Sequence, residues 1–424
     1  MKNKSTILLG KTVQKVAKIK GGGSALPGLF IEKTNPNFIQ NTLKKLPHGV
    51  VVISGTNGKT TTTKMVVELL ESQGLRVFTN KTGSNFVRGV AAALLESVDF
   101  RGNLSADIAV LELDEAHATH FVKQIQPKYS LLLNVMRDQL DRFGEIDHTA
   151  KLLQVLGRAT SGVVVLNGGD PLLGAENFGE NFSAKIAKFG SHEKLAEFFP
   201  NDDELHGEKS QKSACSNTKF DYTLEDFSKN SAKINGEKFD LQISGIHNIL
   251  NLTAAIGLIR EILANEKLNL DEKNLQKAIF EIKPAFGRGE IIKFGEQEIE
   301  IMLVKNPAGF RSNLKGANLE NAEIMIAIND NYADGRDMSW LWDVDFSALK
   351  NVAQVSGVRA YDMALRLFHD GVQFEDSRIE TDISKALAEF LKGENPQKKI
   401  FATYTAMLEI RKEISKLTDV EKIL

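Results

Sequence analysis

The segment from Ser54 to Thr62 places the strongest constraint on how this chain folds. It reads SGTNGKTTT and follows a continuous apolar, β-branched run from Val50 to Ile53. Such a run is typical of a strand buried on both faces, and the glycines after it let the backbone approach a ligand closely. A strand, a glycine-rich turn and the start of a helix, in this order, predict a phosphate-binding loop.

The polar residues of this loop have predicted roles. Lys59 is the predicted catalytic cation, because its ammonium group can neutralise charge on the β and γ phosphates of ATP, and the Thr60 hydroxyl can bind Mg²⁺. The general pattern has glycine where this chain has Ile53, so the loop is a variant. The predicted nucleotide-binding residues of the loop are Gly55, Thr56, Asn57, Gly58, Lys59, Thr60 and Thr61.

Strand-like and helix-like segments alternate along the chain, which predicts βαβ units and a mostly parallel sheet. The predicted strands are 50–53, 75–78, 108–113, 130–133 and 163–166 in a first block, and 299–304, 324–328, 352–355 and 400–403 in a second. The predicted helices are 60–72, 86–97, 245–262, 359–369 and 405–416. We therefore predict an α/β fold with a central ATP-binding domain over residues 49–294 and a C-terminal Rossmann-like α/β domain over 295–424.

Two segments do not follow this alternation. Residues 1–48 form a predicted leader, in which a helix-like segment ends at the glycines 21–23 and the pair Pro27 and Gly28 marks a turn. Residues 190–240 are polar and lysine-rich, and they predict an insertion of hairpins and loops.

The composition narrows the class of protein. The net charge of −2, with 42% apolar and 25% charged residues, is typical of a soluble globular protein and does not favour nucleic-acid binding. No stretch approaches the ~20 apolar residues of a membrane span, so a cytoplasmic protein is expected. Cys215 is the single cysteine, which excludes an internal disulfide and a cysteine-based zinc ribbon.

The loop variant GTNGKTTT resembles the nucleotide loop of the Mur ligase superfamily, whose members phosphorylate a carboxylate with ATP and then let an amine attack the acyl phosphate. The resemblance implies that Glu112 binds Mg²⁺, that Asn248 donates a hydrogen bond to the nucleotide and that Arg288 reaches the γ-phosphate. The stretches that carry it, besides the loop and Glu112, are 134–145 (NVMRDQLDRFGE), 167–171 (NGGDP), 245–256 (GIHNILNLTAAI) and 286–290 (FGRGE).

Taken alone, these side chains have simpler interpretations. Glu112 can be a solvated charge at the end of a strand, Asn248 a helix cap, and Arg288 part of a surface salt bridge. The chain also departs from the superfamily pattern. Gln139 stands where other members have a histidine for a second magnesium, and a neutral amide is a weaker metal ligand than imidazole. Lys151 is not assigned as the carbamylated lysine of the superfamily, because its spacing from Gln139 differs.

The second block narrows the resemblance. The stretches 305–309 (KNPAG) and 329–340 (NDNYADGRDMSW), together with RDQLDRFGE, resemble the MurT family, the ligase subunits of lipid II isoglutaminyl synthase, over nearly the whole chain. The resemblance implies that ATP activates the α-carboxylate of D-isoglutamate in the lipid II stem peptide, and that ammonia converts it to D-isoglutamine. It further implies a GatD-type glutaminase partner, whose cysteine and histidine are completed by Asp337 of this chain.

The same segment has a physical interpretation of its own. It contains four carboxylates within fourteen residues, Asp330, Asp334, Asp337 and Asp343. Such a cluster repels itself unless cations or donors compensate it, and a charged surface loop is the alternative explanation. The two tryptophans of the chain, Trp340 and Trp342, lie beside it, and exposed aromatic side chains predict a surface that binds a partner.

Many MurT proteins carry a four-cysteine zinc ribbon in the central domain. The corresponding stretch here contains Cys215 alone, so we predict that no structural zinc is bound.

Two other functions remain open from the sequence. An amino-acid-adding Mur ligase, or a folylpolyglutamate-synthetase-like ligase, would act without a glutaminase subunit. A regulatory subunit would bind the nucleotide without catalysing a reaction.

Overall fold

The computed structural model describes residues 7–14, 25–80, 87–137, 146–201, 220–228, 230–243, 245–283 and 288–420. It contains two α/β units, each built on one sheet. This architecture confirms the predicted fold class.

The first sheet has nine strands in the order β2-β3-β1-β4-β5-β6-β7-β8-β9. The strands from β2 to β7 in this order are parallel, and β8 and β9 follow as antiparallel strands. The strands are β1 (Val50–Ser54), β2 (Val77–Thr79), β3 (Ile108–Glu112), β4 (Tyr129–Leu132), β5 (Val163–Asn167), β6 (Lys185–Ser191), β7 (Tyr222–Ser228), β8 (Ser231–Ile234) and β9 (Glu237–Asp240).

Helices cover both faces of this sheet, and β1 shows why its sequence is apolar throughout. Val51 and Ile53 contribute to the hydrophobic core on one face, whereas Val50 and Val52 contribute to the core on the other. The helices of this unit are α1 (7–14), α2 (Ala25–Thr34), α3 (Phe38–Leu43), α4 (Lys59–Ser72), α5 (Val87–Ser97), α6 (Glu115–Val122), α7 (Ile146–Ala159), α8 (Ile246–Glu266) and α9 (Glu272–Glu281), with 3-10 turns at Glu176–Gly179 and Glu193–Phe198.

The expectation that no stretch reaches the length of a membrane span is wrong for one helix of the described ranges, because α8 is long and apolar enough to cross a membrane. This helix is largely buried within the first unit, where it packs against α4 and against β5, β6 and β7. Its apolar residues, Leu252, Ile256 and Ile259 among them, belong to the core on that face of the sheet. A helix that is apolar on all sides is expected at such a buried position.

The second sheet has six strands in the order β10-β11-β15-β12-β13-β14, and only β10 and β11 are antiparallel neighbours. The strands are β10 (Arg288–Phe294), β11 (Gln297–Leu303), β12 (Glu323–Ala327), β13 (Gln354–Ser356), β14 (Ile379–Glu380) and β15 (Gln397–Ala402). The helices are α10 (Pro307–Gly316), α11 (Ala360–His369), α12 (Ile383–Phe390) and α13 (Tyr404–Ile414), with 3-10 turns at Ser339–Asp343 and Asp376–Arg378.

The N-terminal segment is not a separate leader in the described residues. Ile7 of α1, Ile31 of α2 and Leu43 of α3 are buried in the same core as α5. The predicted turn at Pro27 and Gly28 is wrong, because both residues lie in the first turn of α2, where proline needs no hydrogen-bond partner for its nitrogen. The predicted helix end at the glycines 21–23 lies outside the described residues.

Two segments differ from the sequence interpretation. Residues 222–240 extend the main sheet, since β7 pairs in parallel with β6 and then continues as the meander β7-β8-β9. Strand β10 ends at Phe294 and pairs with β11, so the second sheet begins at Arg288, before the boundary drawn at residue 295. These strands were harder to predict because they are short and contain polar residues. The parallel strands are continuous apolar runs, which are easier to recognise in a sequence.

Gly28 provides a test of the packing between α2 and α5. A Cβ atom at this position would lie 2.1 Å from the backbone carbonyl oxygen of Arg88, so any side chain must displace one helix from the other. We expect Gly28→Ala to lower the free energy of unfolding by about 1–3 kcal/mol, the usual cost of overpacking. Chemical denaturation measures this change.

Gly316→Ala is the matched control, because nothing lies within 4 Å of a Cβ at that helical position. The control should be neutral or slightly stabilising, since alanine favours helix. Equal effects of the two substitutions would contradict the close approach of α2 and α5.

Candidate functional site

The turn between β1 and α4 is held by hydrogen bonds to the segment that follows β4. Asn134 accepts from the backbone N–H of Asn57 at 2.9 Å and donates to the Asn57 carbonyl at 3.0 Å. The Thr56 N–H donates to the Asn134 carbonyl at 3.0 Å. The Thr56 hydroxyl adds to these contacts by accepting from the Met136 N–H at 3.1 Å, so backbone and side-chain groups together fix the loop.

Two glycines of the loop have backbone conformations that suit glycine. Gly55 has φ +135° and Gly58 has φ +86°, where Gly58 is the residue immediately before α4. A Cβ at Gly58 would lie 2.8 Å from the Asn251 Oδ1 atom of α8. The loop thus presents backbone N–H groups at the start of a fourteen-residue helix, an arrangement that fits a bound phosphate group.

Lys59 is buried and folds back onto its own loop. Its ammonium group donates to the carbonyl of Gly55 and, at 3.1 Å, to that of Thr56. The buried carboxylate of Glu115 lies 3.7 Å from the Lys59 Nζ atom and supplies the compensating charge. A buried cation held by carbonyl oxygens and one carboxylate can exchange these partners for phosphate oxygens when a nucleotide enters.

Thr60 and Glu112 meet where β3 ends beside the start of α4. The Thr60 hydroxyl donates to Glu112 Oε1 at 3.0 Å, and both side chains are buried. Asn80 holds the end of β3, because its amide accepts from the Glu112 N–H and donates to the Glu112 carbonyl, both at 2.9 Å. Hydroxyl and carboxylate oxygens in contact form a donor set that suits Mg²⁺.

The NGGDP turn supports the same edge of the sheet. Asp170 accepts from the N–H of Val135 at 2.7 Å, and Asn167 donates to the carbonyl of Leu133 at 3.0 Å. Asp170 also accepts from the N–H groups of Leu172 and Leu173. The turn therefore positions the segment that carries Asn134, and its role in the described structure is to support the loop.

The second unit contacts the loop directly. Asn306, which is fully buried, donates to Asn57 Oδ1 at 3.2 Å. The same side chain caps α10 by accepting from the Gly309 N–H at 2.7 Å. The sequence does not predict this contact, because Asn57 and Asn306 are far apart in the chain and no local pattern links them.

The other predicted nucleotide-binding residues are Asn248 and Arg288. Asn248 lies in the first turn of α8, and Asn251, three residues further along the helix, is the α8 side chain found against Gly58. The backbone of Arg288 begins β10 and pairs with Met302. Gln139 and Cys215 lie outside the described residues. In the part of the chain that the structure describes, no group of three or more His, Cys, Asp or Glu side chains is placed to hold a metal ion.

The four carboxylates after β12 do not form one cluster, because most have separate donors. Asp330 forms an ion pair with Arg359 at 2.7 Å. The buried Asp334 accepts from the N–H and the hydroxyl of Thr405, at 2.7 and 2.6 Å. Burial raises the pKa of Asp334, although these donors oppose the effect. Asp343 is exposed.

Asp337 is partly exposed and lies at the end of the loop that Asp334 anchors. It accepts from the backbone N–H of Ser339 at 2.9 Å. Hydrogen bonds from the Ser339 side chain and N–H hold the pKa of Asp337 below its usual value, so the carboxylate is ionised at neutral pH. Arg336 is exposed and forms no ion pair with the carboxylates of the described residues, so it does not compensate their charge.

The two tryptophans differ in exposure. Trp342 is 52% exposed, which fits the expectation of a partner surface. Trp340 is only 5% exposed and packs against Phe310 with 6.4 Å between ring centroids, so its predicted exposure is wrong. The pair lies on a 3-10 helix, where residues two apart point in different directions.

Comparison with known proteins agrees with this architecture. A model of the Mur ligase middle domain matches residues 53–259, and a model of the MurT ligase C-terminal region matches residues 303–407. The chain is 29% identical to lipid II isoglutaminyl synthase (glutamine-hydrolyzing) subunit MurT of Streptococcus pneumoniae, over 98% of both chains. It is also 29% identical to the subunit of the same name from Staphylococcus aureus, over 92% of both chains.

Solved structures show the same fold at low sequence identity. A pseudomurein peptide ligase type C from Methanothermus fervidus superposes with a TM-score of 0.66 at 18% identity, over 90% of this chain and 80% of that one. MurF ligase from Thermotoga maritima, in complex with ADP, superposes with a TM-score of 0.63 at 16% identity, over 92% and 85%.

The fold and the loop between β1 and α4 therefore define a ligase of the Mur superfamily. The match of the second unit and the relatives aligned over nearly the full length narrow this class further. The chain belongs to the MurT family.

His247, beside Asn248, gives a prediction about pH. It packs edge-on against Phe199 with 5.9 Å between ring centroids, and burial lowers its pKa from 6.5 to about 4. Because the unfolded chain binds this proton more readily, the stability contributed by neutral His247 is present above pH 6.5 and is lost as the pH falls through about 4. We expect His247→Gln to flatten the dependence of the free energy of unfolding on pH across this window.

Denaturant titrations at several pH values measure this dependence for both proteins. Parallel curves for the wild type and the His247→Gln variant would contradict the lowered pKa of this imidazole.

Proposed function

We propose that this chain amidates the α-carboxylate of D-isoglutamate in the lipid II stem peptide, using ATP and ammonia from a GatD-type glutaminase subunit. The observation that supports it most strongly is the similarity, over nearly the full length, to glutamine-hydrolysing synthase subunits, with Asp337 held ionised on an anchored loop. The reaction would take place in the cytoplasm, at the inner face of the membrane that holds lipid II.

The first step is phosphoryl transfer. ATP binds with its phosphates against the N–H groups of the Gly55 to Thr61 segment, and Lys59 leaves its carbonyl partners to neutralise the phosphate charge. A carboxylate oxygen of the substrate attacks the γ-phosphorus, ADP departs, and an acyl phosphate forms. Thr60 and Glu112 would hold Mg²⁺, which supplies charge compensation for the phosphates when bound.

The second step is amide formation. The nitrogen lone pair of ammonia attacks the acyl carbon, phosphate leaves with the bonding electrons of the C–O bond, and one proton is lost to give the amide. Ammonia comes from glutamine hydrolysis in the partner subunit. There Asp337 would orient the partner's histidine and stabilise its imidazolium form, as the carboxylate of a catalytic triad does.

One assay tests this function. The chain is mixed with the glutamine amidotransferase subunit of the same synthase, ATP, Mg²⁺, glutamine and lipid II, and the products are analysed by mass spectrometry. Amidated lipid II is expected. Turnover with free amino acids, but none with the pair of subunits, would instead indicate an amino-acid-adding ligase.

The pair Thr60 and Glu112 leads to a prediction about cation dependence. We expect Thr60→Val to lose most of the gain in nucleotide affinity that Mg²⁺ provides, on the order of tenfold or more, while affinity without Mg²⁺ changes little. Isothermal titration calorimetry with ADP, with and without Mg²⁺, measures both affinities.

Thr63→Val is the control, because the Thr63 hydroxyl is buried in the same helix without a hydrogen-bond partner among the described residues. It should keep the full effect of Mg²⁺. A Thr60→Val variant with an unchanged effect of Mg²⁺ would show that the hydroxyl is not a ligand.

Asp337 leads to a prediction about the nitrogen source. Asp337→Asn should lower glutamine-dependent amidation by up to about 10⁴-fold, the loss seen when the aspartate of a hydrolytic triad becomes asparagine, and should retain activity with added ammonium salt. Rates with the two nitrogen sources are compared for each variant.

Asp343→Asn is the matched control, since Asp343 is exposed in the same segment and should be dispensable for both activities. Loss of both activities in the Asp337 variant would assign this residue a structural or nucleotide-linked role.

A further inference from the structure

Helix α1 is apolar on the side that faces solvent as well as on its buried side. Ile7 and Gly10 are buried, and a Cβ at Gly10 would lie 3.0 Å from the Leu95 side chain of α5. Leu8 and Leu9, by contrast, are 56% and 58% exposed. A surface helix normally has polar residues opposite its buried side. Helix α1 therefore has a second apolar side, which its packing on α5 does not use.

Phe100, in the turn after α5, extends this apolar surface. Its side chain is 68% exposed, and the Lys11 ammonium of α1 lies 5.9 Å from the centre of its ring. Lys11 follows Leu8 by three positions, so the two side chains are neighbours on the helix surface. We refer to Leu8, Leu9, Lys11 and Phe100 as the N-terminal face. A contiguous exposed apolar surface marks a site of interaction.

The positive charge of the chain is concentrated in the same part of the sequence. Residues 1–31 contain six lysines and no Asp or Glu, so they carry +6, whereas the remaining residues carry −8 and bring the net charge to −2. The lysines are Lys2, Lys4, Lys11, Lys15, Lys18 and Lys20. Many lysines beside exposed apolar side chains are the pattern of a surface that binds anionic lipid.

Two acidic residues, Glu96 and Asp99, lie next to the N-terminal face. Asp99 accepts from the backbone N–H groups of Arg101 and Asn103 at 2.7 and 2.8 Å, so it is occupied within its own turn. The Lys11 ammonium donates to the backbone carbonyl of Glu96 at 3.2 Å. With both carboxylates counted against residues 1–31, a charge of +4 remains.

We propose that the N-terminal face binds the surface of an anionic membrane, with Leu8, Leu9 and Phe100 inserted at the boundary between headgroups and acyl chains. The positive charge of residues 1–31 attracts the anionic headgroups. The proposal rests on the proposed function, which gives the chain a substrate anchored in a membrane. Nucleic acid would also attract the lysines, but it would leave the leucine side chains in water, whereas the headgroup boundary removes them from it.

The test is co-sedimentation of the full chain with vesicles that contain no lipid II. Vesicles of equal parts phosphatidylglycerol and phosphatidylcholine are compared with vesicles of phosphatidylcholine alone. The wild type should bind the anionic vesicles about tenfold more tightly or more, and added salt should reduce this difference.

The double variant Leu8→Gln and Leu9→Gln should bind the anionic vesicles about tenfold more weakly or more, because two leucine side chains no longer leave water. Glutamine favours helix about as well as leucine, and both positions are exposed, so the thermal unfolding midpoint should remain that of the wild type. Phe100→Gln changes a turn instead of a helix and should also weaken binding.

The matched control is the double variant Leu365→Gln and Phe368→Gln, because these residues are 51% and 72% exposed on α11 of the second unit. It should bind the vesicles as the wild type does. The proposal is overturned by a wild type that does not bind anionic vesicles, by equal binding of both kinds of vesicle, or by unchanged binding of the Leu8 and Leu9 variant. Loss of binding in the control would place the membrane contact on the second unit instead.

Double-stranded DNA is tested in parallel. Binding of DNA as tight as that of anionic vesicles, and unaffected by the Leu8 and Leu9 substitutions, would assign the lysines to nucleic acid and overturn the membrane proposal.

Amidation assays separate failure of the proposed function from failure of the N-terminal face. The chain and its partner subunit receive ATP, Mg²⁺, glutamine and lipid II, either in detergent micelles or in anionic vesicles. The Leu8 and Leu9 variant should keep the wild-type rate in micelles and show a KM for lipid II raised about tenfold in vesicles. No amidated product from the wild type in micelles would reject the proposed function, while sedimentation with vesicles free of lipid II still decides the membrane contact.

Discussion

The hydrogen bonds between Asn134 and Asn57 hold the turn between β1 and α4, and the positions of the other site residues depend on this turn. Gly55 and Gly58 give the turn its shape, but their conformational freedom would also allow other shapes. The carboxamide of Asn134 removes this freedom by satisfying both the N–H and the carbonyl of Asn57. Asp170 in turn fixes the segment of Asn134. The loop is thus held from the neighbouring segment, while its cation and the Thr60 hydroxyl are paired with groups of the site itself, Glu115 and Glu112.

In the second unit, a buried carboxylate holds the loop that follows β12. Asp334 is a buried carboxylate whose donors, Thr405 and the Asn331 N–H, join the loop after β12 to the start of α13. Such a group is costly to bury unless its hydrogen bonds are complete. The result is a loop that is rigid at Asp334 and partly exposed at Asp337. Under the proposed function Asp337 orients a histidine of another protein, and this combination suits that role because small displacements of the carboxylate change the position of the imidazole.

The sequence predicted the elements whose signals are local. The apolar runs at β1, β3, β4 and β5 and the loop that follows β1 were identified to within a residue or two, because a strand buried on both faces is continuously apolar. The α2 helix was missed because Pro27 and Gly28 usually indicate a turn. Here Gly28 is instead required by the close approach of Arg88, a contact between segments far apart in the chain.

The residues of the candidate site also fall into those that the sequence predicts and those that it does not. Lys59, Thr60 and Glu112 are predicted from the loop motif and the family resemblance, and the structure places Thr60 against Glu112 and the Lys59 ammonium on the loop itself. Their roles toward the nucleotide stay predictions. Asn80 and Glu115, which hold this group in place, were not identified. Each of them contacts one of the predicted site residues and holds it in position. Asn80 and Glu112 come from two neighbouring strands that are far apart in the chain, so the sequence alone does not indicate that they pair.

The contact between Asn57 and Asn306 joins the second unit to the loop of the first. Asn306 caps α10 with one atom of its amide and contacts the nucleotide loop with the other, so the second unit is aligned on the loop by a helix end. An acyl phosphate hydrolyses in water, and ammonia becomes an unreactive ammonium ion when protonated in solvent. Under the proposed function, both losses are reduced if the second unit closes on the loop. The contact between Asn57 and Asn306 would then belong to the alignment that lets ammonia formed beside Asp337 reach a carboxylate activated beside Lys59.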